Sequence, residues 1–190
     1  MLWKMPPVDQ DLCEELDSHL GAKIAKEKIY IFIMGPDLKS DKPSGKLRRE
    51  LVDRCNKIGH TALAEHKHLI NIGKKRLGAG FDLTTYEKAV AEISHVIVLI
   101  PDSAGSYAEL GFFGPIKELS HKMIIFLDKN HEPLKEDSYI WEGPAKAAKN
   151  NRVEVPFVDY DNVEEIWQMV LEQIEIGKAN KIREQFGDSE

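Results

Sequence analysis

The chain is 190 residues long with 42% hydrophobic and 31% charged residues, enough to bury the core of one domain and too polar to be a membrane protein. A net charge of −6 argues against general nucleic-acid binding, and two cysteines, Cys13 and Cys55, are too few and too far apart for a disulfide framework or a cysteine metal site. No apolar run approaches the ~18 residues of a spanning helix and the N-terminus lacks a signal-peptide pattern, so a cytoplasmic protein is expected.

Residues 9–21 read as a short amphipathic helix, and residues 1–27 as an extension ahead of the domain. Lys28–Met34 (KIYIFIM) is the first strand, ended by Gly35-Pro36. A polar loop follows over 37–45, then a helix from Lys46 to about Lys57 with Leu47, Leu51, Val52 and Cys55 facing inward. Gly59 stops it. His60–His66 reads as a second strand. Residues 67–81 hold three glycines and a basic cluster without a clean period, which predicts a flap over a site. Residues 42–76 carry ten Lys/Arg against three Asp/Glu. That asymmetry serves either to attract an anionic ligand or simply as a solvated face.

The stretch 82–114 organises the rest. Asp82 is placed as an N-cap, and Leu83, Tyr86, Val90 and Ile93 recur at helical spacing. Glu87 falls in the same stripe, where an acid is unfavourable unless paired or used. His95–Ile100 (HVIVLI) is an apolar, β-branched run suited to a central parallel strand. The loop Asp102-Ser103-Ala104-Gly105-Ser106 and a helix opening on Glu109 come next. Such a loop offers hydroxyls, a glycine and free N–H groups to a phosphate or sugar. Ser106-x-x-Glu109 is equally a capping box, in which the glutamate only bonds back to the backbone. Both readings stand at this level. Lys122–Leu127 is the fourth strand, Asp128–Pro144 a loop, and Val153–Val158 a fifth strand at an edge because of Pro156. The last helix starts at Asp161 with Glu164 three residues on, its stripe being Val163, Ile166, Val170, Leu171 and Ile174. From Gly177 a charged tail, 177–190, is expected to fray.

Strands alternating with helices predict an α/β domain over 28–176. Its fold is an open doubly wound five-stranded parallel sheet of order 2-1-3-4-5. The switch point would bring Gly35-Pro36 opposite Asp102–Glu109. Two carboxylates, Glu87 and Glu109, would then share the carboxyl end of one strand, an arrangement that breaks glycosidic bonds. His60, His66 and His68 lack a ligand frame, so no metal and no cofactor are expected. His66 is a candidate hydrogen-bond donor at the site. Tyr139 and Trp141 could stack on a base or anchor their loop. Tyr107 and Phe112 read as core or dimer contacts.

Three segments carry a family resemblance: IYIFIMGP at 29–36, IGHTALAEH at 58–66, and E-x7-HVIVLIPDSAGSYAELG at 87–111. With FVDYDNVEEIW at 157–167, they resemble the nucleoside 2-deoxyribosyltransferase superfamily. The similar branches are the deoxynucleoside 5′-monophosphate N-glycosidases and the deoxyribosyltransferase-like effectors of bacterial retron defence systems. The resemblance implies that Glu109 is the nucleophile at C1′ and Glu87 the acid that protonates or orients the leaving base. It implies that Ser103, Gly105 and Ser106 contact the sugar or its 5′-phosphate, and that Gly35 and Pro36 form the turn after the first strand; Asp102 is a candidate contact from the loop reading alone. In the loop after the first strand, where such glycosidases have an arginine, this chain has Lys39 and Lys42. Where transferases have an aspartate it has Ser103. The expected function is an N-glycosidase of a nucleoside or nucleotide in a defence or toxin context, with a homodimer or larger assembly and no stable nucleic-acid binding. The alternatives are NAD cleavage and a nucleotide sensor without turnover.

Overall fold

The structure is a computed structural model that describes residues 26–63, 82–132 and 138–187, with 19, 22, 23, 65, 70, 71, 74–76 and 78–80. The N-terminal helix expected over 9–21, apart from His19, and residues 67–69, 72, 73, 77 and 81 of the 67–81 flap lie outside the described residues, as do His66 and His68.

Four strands form one parallel sheet. They are β1 (Tyr30–Met34), β2 (His60–Ala62), β3 (Val96–Leu99) and β4 (Met123–Ile125), in the order β2-β1-β3-β4. The chain reverses its winding between β1 and β3, which places the switch point where expected. The five-stranded sheet is not formed. The run after β4 breaks at Phe126, whose N–H bonds Leu99 O at 2.9 Å, and resumes as β5 (Leu127–Asp128). β5 pairs in parallel with β6 (Phe157–Val158) as a separate two-stranded sheet. The segment before β6 meets β4 at the isolated Ile124–Glu154 bridge, where Ile125 N bonds Glu154 O at 2.9 Å. Pro156 has no N–H and can only accept, from Leu127 N at 3.0 Å, so the ladder cannot run through it.

The helices are α1 (Pro43–Cys55), α2 (Leu83–Ile93), α3 (Ala104–Phe113), α4 (Lys146–Asn150) and α5 (Val163–Gly187). On one face of the sheet Ile31, Ile33, Val96 and Val98 meet Leu47 and Leu51 of α1 and Ile166, Val170 and Ile174 of α5. On the other, Phe32, Met34, Ile97 and Leu99 meet Tyr86 and Val90 of α2 and Leu110 and Phe113 of α3. The central strands are therefore covered on both faces, as their unbroken apolar sequence requires.

Several boundaries differ from the sequence reading. Helix α1 starts three residues before Lys46, with Pro43 in its first turn, where a fixed φ and a missing N–H are tolerated. Helix α2 is rotated so that Tyr86, Glu87, Val90 and Ala91 face in, leaving Leu83 46% and Ile93 70% exposed. Part of the expected 128–144 loop is helical, a segment over Trp141–Ala145 that is kinked at Gly143 (φ −98°, ψ −105°) and runs into α4. The last helix is opened by Asn162, whose side chain meets Glu165, rather than by Asp161 with Glu164. It does not fray at Gly177. A Cβ there would lie 2.8 Å from Val96 Cγ2 and 3.0 Å from His95 O, so glycine lets α5 cross against the start of β3 and continue, burying Ile182 beyond.

Candidate active site at the end of the central strands

The site is built at the carboxyl ends of β1 and β3. After β3 the chain enters α3 through Asp102-Ser103. Ser103 is the N-cap: its Oγ accepts from Ser106 N at 3.1 Å. Ser106 Oγ in turn accepts from Ser103 N at 2.8 Å and Asp102 N at 2.9 Å. The capping box is thus Ser103 with Ser106, not Ser106 with Glu109. The N–H groups of Asp102, Ser103 and Ser106 are met by two serines, and Glu109 is left out of the cap.

Glu109 is one turn further along, largely buried, and its Oε2 is buried without a hydrogen-bond partner. Burial, then the charge of Glu87, then that of Glu65 push its carboxyl up to about 8, with Arg48 acting in the opposite direction. Glu87 projects from the buried face of α2 and is 7% exposed. Its carboxyl is also raised, first by burial and then by Glu65. No hydrogen bond or ion pair to Glu87 is formed among the described residues. The structure therefore brings Glu87 and Glu109 into one electrostatic unit without spending either on a structural bond. Burial and the charge of Glu87 thereby keep the Glu109 carboxyl protonated into the neutral range.

Arg48 is the counter-charge. It lies in α1, 2% exposed, on the same stripe as Leu51 and Cys55. Its Nη1 donates to Pro36 O at 2.8 Å and Glu65 Oε1 at 2.7 Å, and its Nη2 donates to Ile33 O at 2.9 Å and Glu65 Oε2 at 3.0 Å. Ile33 lies one residue past the last β1–β2 pair, Phe32–Ala62, so Arg48 serves a carbonyl beyond that ladder. Gly35 is required by contact: a Cβ would lie 3.2 Å from Arg48 Cδ and from Ile100 Cβ and O. Across the switch point, Ser44 Oγ donates to Asp102 Oδ2 at 2.5 Å, tying the start of α1 to the loop before α3.

The sequence-predicted residues sort accordingly. Glu87, Glu109, Asp102, Ser103 and Ser106 converge at the ends of β1 and β3, and Gly35 and Pro36 join them through Arg48. Ser103 and Ser106 spend their hydroxyls within the cap, so the groups they leave for a ligand are the open start of α3 and the exposed Gly105, whose absent Cβ would meet nothing closer than Ser103 Oγ at 4.0 Å. Arg48, Glu65 and Ser44 were not anticipated. Among the described residues no cluster of His, Cys, Asp and Glu could hold a metal ion.

The aromatic candidates serve elsewhere. Trp141 stacks at a tilt on Phe157, with centroids 5.2 Å apart, under Lys149, and so anchors its segment. Tyr107 and Tyr139 line an apolar cavity of about 440 Å³ with Leu110, Ile140 and Pro144, to which neither Glu87 nor Glu109 contributes. Phe112 is partly exposed and packs edge-on against Phe113. No helix among the described residues is long and apolar enough to cross a membrane.

Compared with known proteins, the chain matches no curated protein. A family model, the STM3845 retron effector protein family, matches residues 45–189. That span takes in Arg48, Glu65, Glu87, Glu109 and every strand after β1. The chain belongs to the STM3845 retron effector protein family.

Proposed function

We propose that this protein is the effector of a retron defence system and acts as an N-glycosidase on a nucleoside or nucleotide, with Glu109 as nucleophile and Glu87 as acid. The observation that carries the reading is the buried, unpartnered Oε2 of Glu109 beside Glu87, at the switch point of a doubly wound sheet. A buried carboxyl with no bond to the protein, beside a second acid at the ligand-binding end of such a sheet, is the kind of group from which catalytic acid pairs are built.

In the proposed reaction the pair shares one proton. The proton, held on Glu109 in the free site, passes to Glu87, and the Glu109 carboxylate oxygen then attacks C1′. The C1′–N bond breaks with its electron pair leaving on the base, and Glu87 transfers its proton to that base. Water then attacks C1′ of the glycosyl ester, giving its proton to Glu87 and releasing Glu109. A neutral base needs the proton. A cationic one such as the nicotinamide of NAD leaves without it, the proton of the attacking water then going to solvent, and among the described residues three acids around one guanidinium favour a cation. NAD is therefore the second substrate class.

The test is base release by chromatography from deoxynucleosides, their 5′-monophosphates, nucleoside triphosphates and NAD, with the protein and with Glu109→Gln. Release that vanishes in the variant supports the reading and identifies the substrate. Release that survives in a folded Glu109→Gln protein refutes it. No release, with a nucleotide still raising thermal stability, favours a sensor.

A further inference from the structure

We infer that Arg48 is the positioning residue of this site, clamping the Pro36 turn and the Glu65 carboxylate to the end of β1 so that the acids around Glu109 face one fixed cation. For its catalytic meaning the inference rests on the glycosidase reading. For its test it does not.

An arginine in the apolar stripe of α1 is an unfavourable choice for a helix that only needs to cover a sheet. Leu47, Leu51 and Cys55 on the same face do that. The four bonds of Arg48 instead go to three separate pieces of chain: the last turn of β1, the Gly35-Pro36 turn, and Glu65 beyond β2. Its planar fork reaches both Glu65 oxygens at once, which the single ammonium of lysine cannot copy. The arginine is not fully satisfied by this, since its Nε is buried without an acceptor. Arg48 sits in the α1 layer and the two acids in the α2 and α3 layer, so its charge reaches them across the strand ends. Its field favours the ionised form of Glu109, while Glu87 and Glu65 oppose it.

The experiment is a carboxyl-carbon NMR titration of the full chain labelled at glutamate, with Glu109 assigned by Glu109→Gln. It is repeated in Arg48→Gln, Arg48→Lys and Glu65→Gln and paired with the pH profile of base release. In Arg48→Gln the Glu109 midpoint rises by about one pH unit, and the acidic limb of any base release rises with it. Arg48→Lys keeps the midpoint near that of the parent but lowers base release at least about tenfold, because the clamp is lost while the charge remains. In Glu65→Gln the midpoint falls. An unchanged midpoint in folded Arg48→Gln overturns the inference. Where Arg48→Gln does not fold, an unchanged or raised midpoint in Glu65→Gln overturns it. If the parent releases no base, the titration alone decides. Glu109-dependent release indifferent to every Arg48 substitution sinks the inference and leaves the glycosidase standing.

Discussion

Replacing Glu109 with glutamine should make the protein more stable at high pH while abolishing the proposed chemistry. A carboxyl that ionises at the ordinary 4.5 when unfolded and at about 8 when folded keeps its proton longer in the native state. Between those values the native state binds more protons than the unfolded one, so stability falls as pH rises through the window. Ionising the buried group fully would cost about 5 kcal/mol, from 1.36 kcal/mol for each pH unit between the two values. Water entering the site on ionisation reduces this. The expected divergence between parent and Glu109→Gln is roughly 2 to 4 kcal/mol from about pH 5 to about pH 8.5. In a chain of this size that corresponds to about 4 to 16 °C in Tm. The assay is urea unfolding of both proteins across that range. Below about 4.5 the curves should nearly meet, since both side chains are then neutral. Parallel pH dependences would refute the reasoning, because they would mean that Glu109 ionises in the folded protein as freely as in water.

Other substitutions separate catalysis from framework. Glu87→Gln should lower the midpoint of Glu109, seen by the same titration, and should impair release of neutral bases far more than release of nicotinamide from NAD. Ser103→Ala removes the N-cap of α3 and should destabilise by about 1 kcal/mol in urea unfolding. Gly177→Val places methyl groups where a Cβ already meets Val96 and His95, and should lower Tm through a loss of roughly 1 to 3 kcal/mol. Tyr160→Phe leaves Phe126 O without the 2.8 Å bond it receives in the core, a loss of about 1 to 3 kcal/mol measured the same way.

The parts of the fold legible in the sequence were those written as period and punctuation. HVIVLI could only be a buried strand, Asp82 a cap, and the alternation of strand and helix a doubly wound sheet with its switch point between β1 and β3. The fifth strand failed because Pro156 breaks a ladder whose register is set by the neighbouring strand, not by residues 153–158 alone. The end of the last helix was misplaced because Gly177 looks like a stop, whereas the reason for a glycine there is a contact with β3, some eighty residues earlier. Glu87 was recognised because an acid in an apolar stripe is anomalous. The same rule applied to Leu47, Arg48, Leu51 and Cys55 would have exposed Arg48. The basic surroundings over 42–76 concealed it as one more surface charge. Glu65 carried no such signal, since its importance exists only once Arg48 is buried beside it.

The capping arrangement bears most directly on what Glu109 is for. A glutamate three residues after a serine at a helix start has an ordinary occupation, and had Glu109 bonded the Ser106 backbone, its burial would have needed no further explanation. Ser103 and Ser106 close that box between themselves, and they do so with small side chains that leave the start of α3 open. Glu109 is thereby released from structure but not from burial. It stays under the charge of Glu87 and Glu65, which raises the free energy of the native state by an amount the protein could avoid with a glutamine. A chain that retains a carboxyl under those conditions, and sets a clamped arginine against it, has an arrangement in which binding a ligand can stabilise the ionised form. On that argument the first property to change on substrate binding is the midpoint of Glu109, which should fall toward neutrality as the site fills.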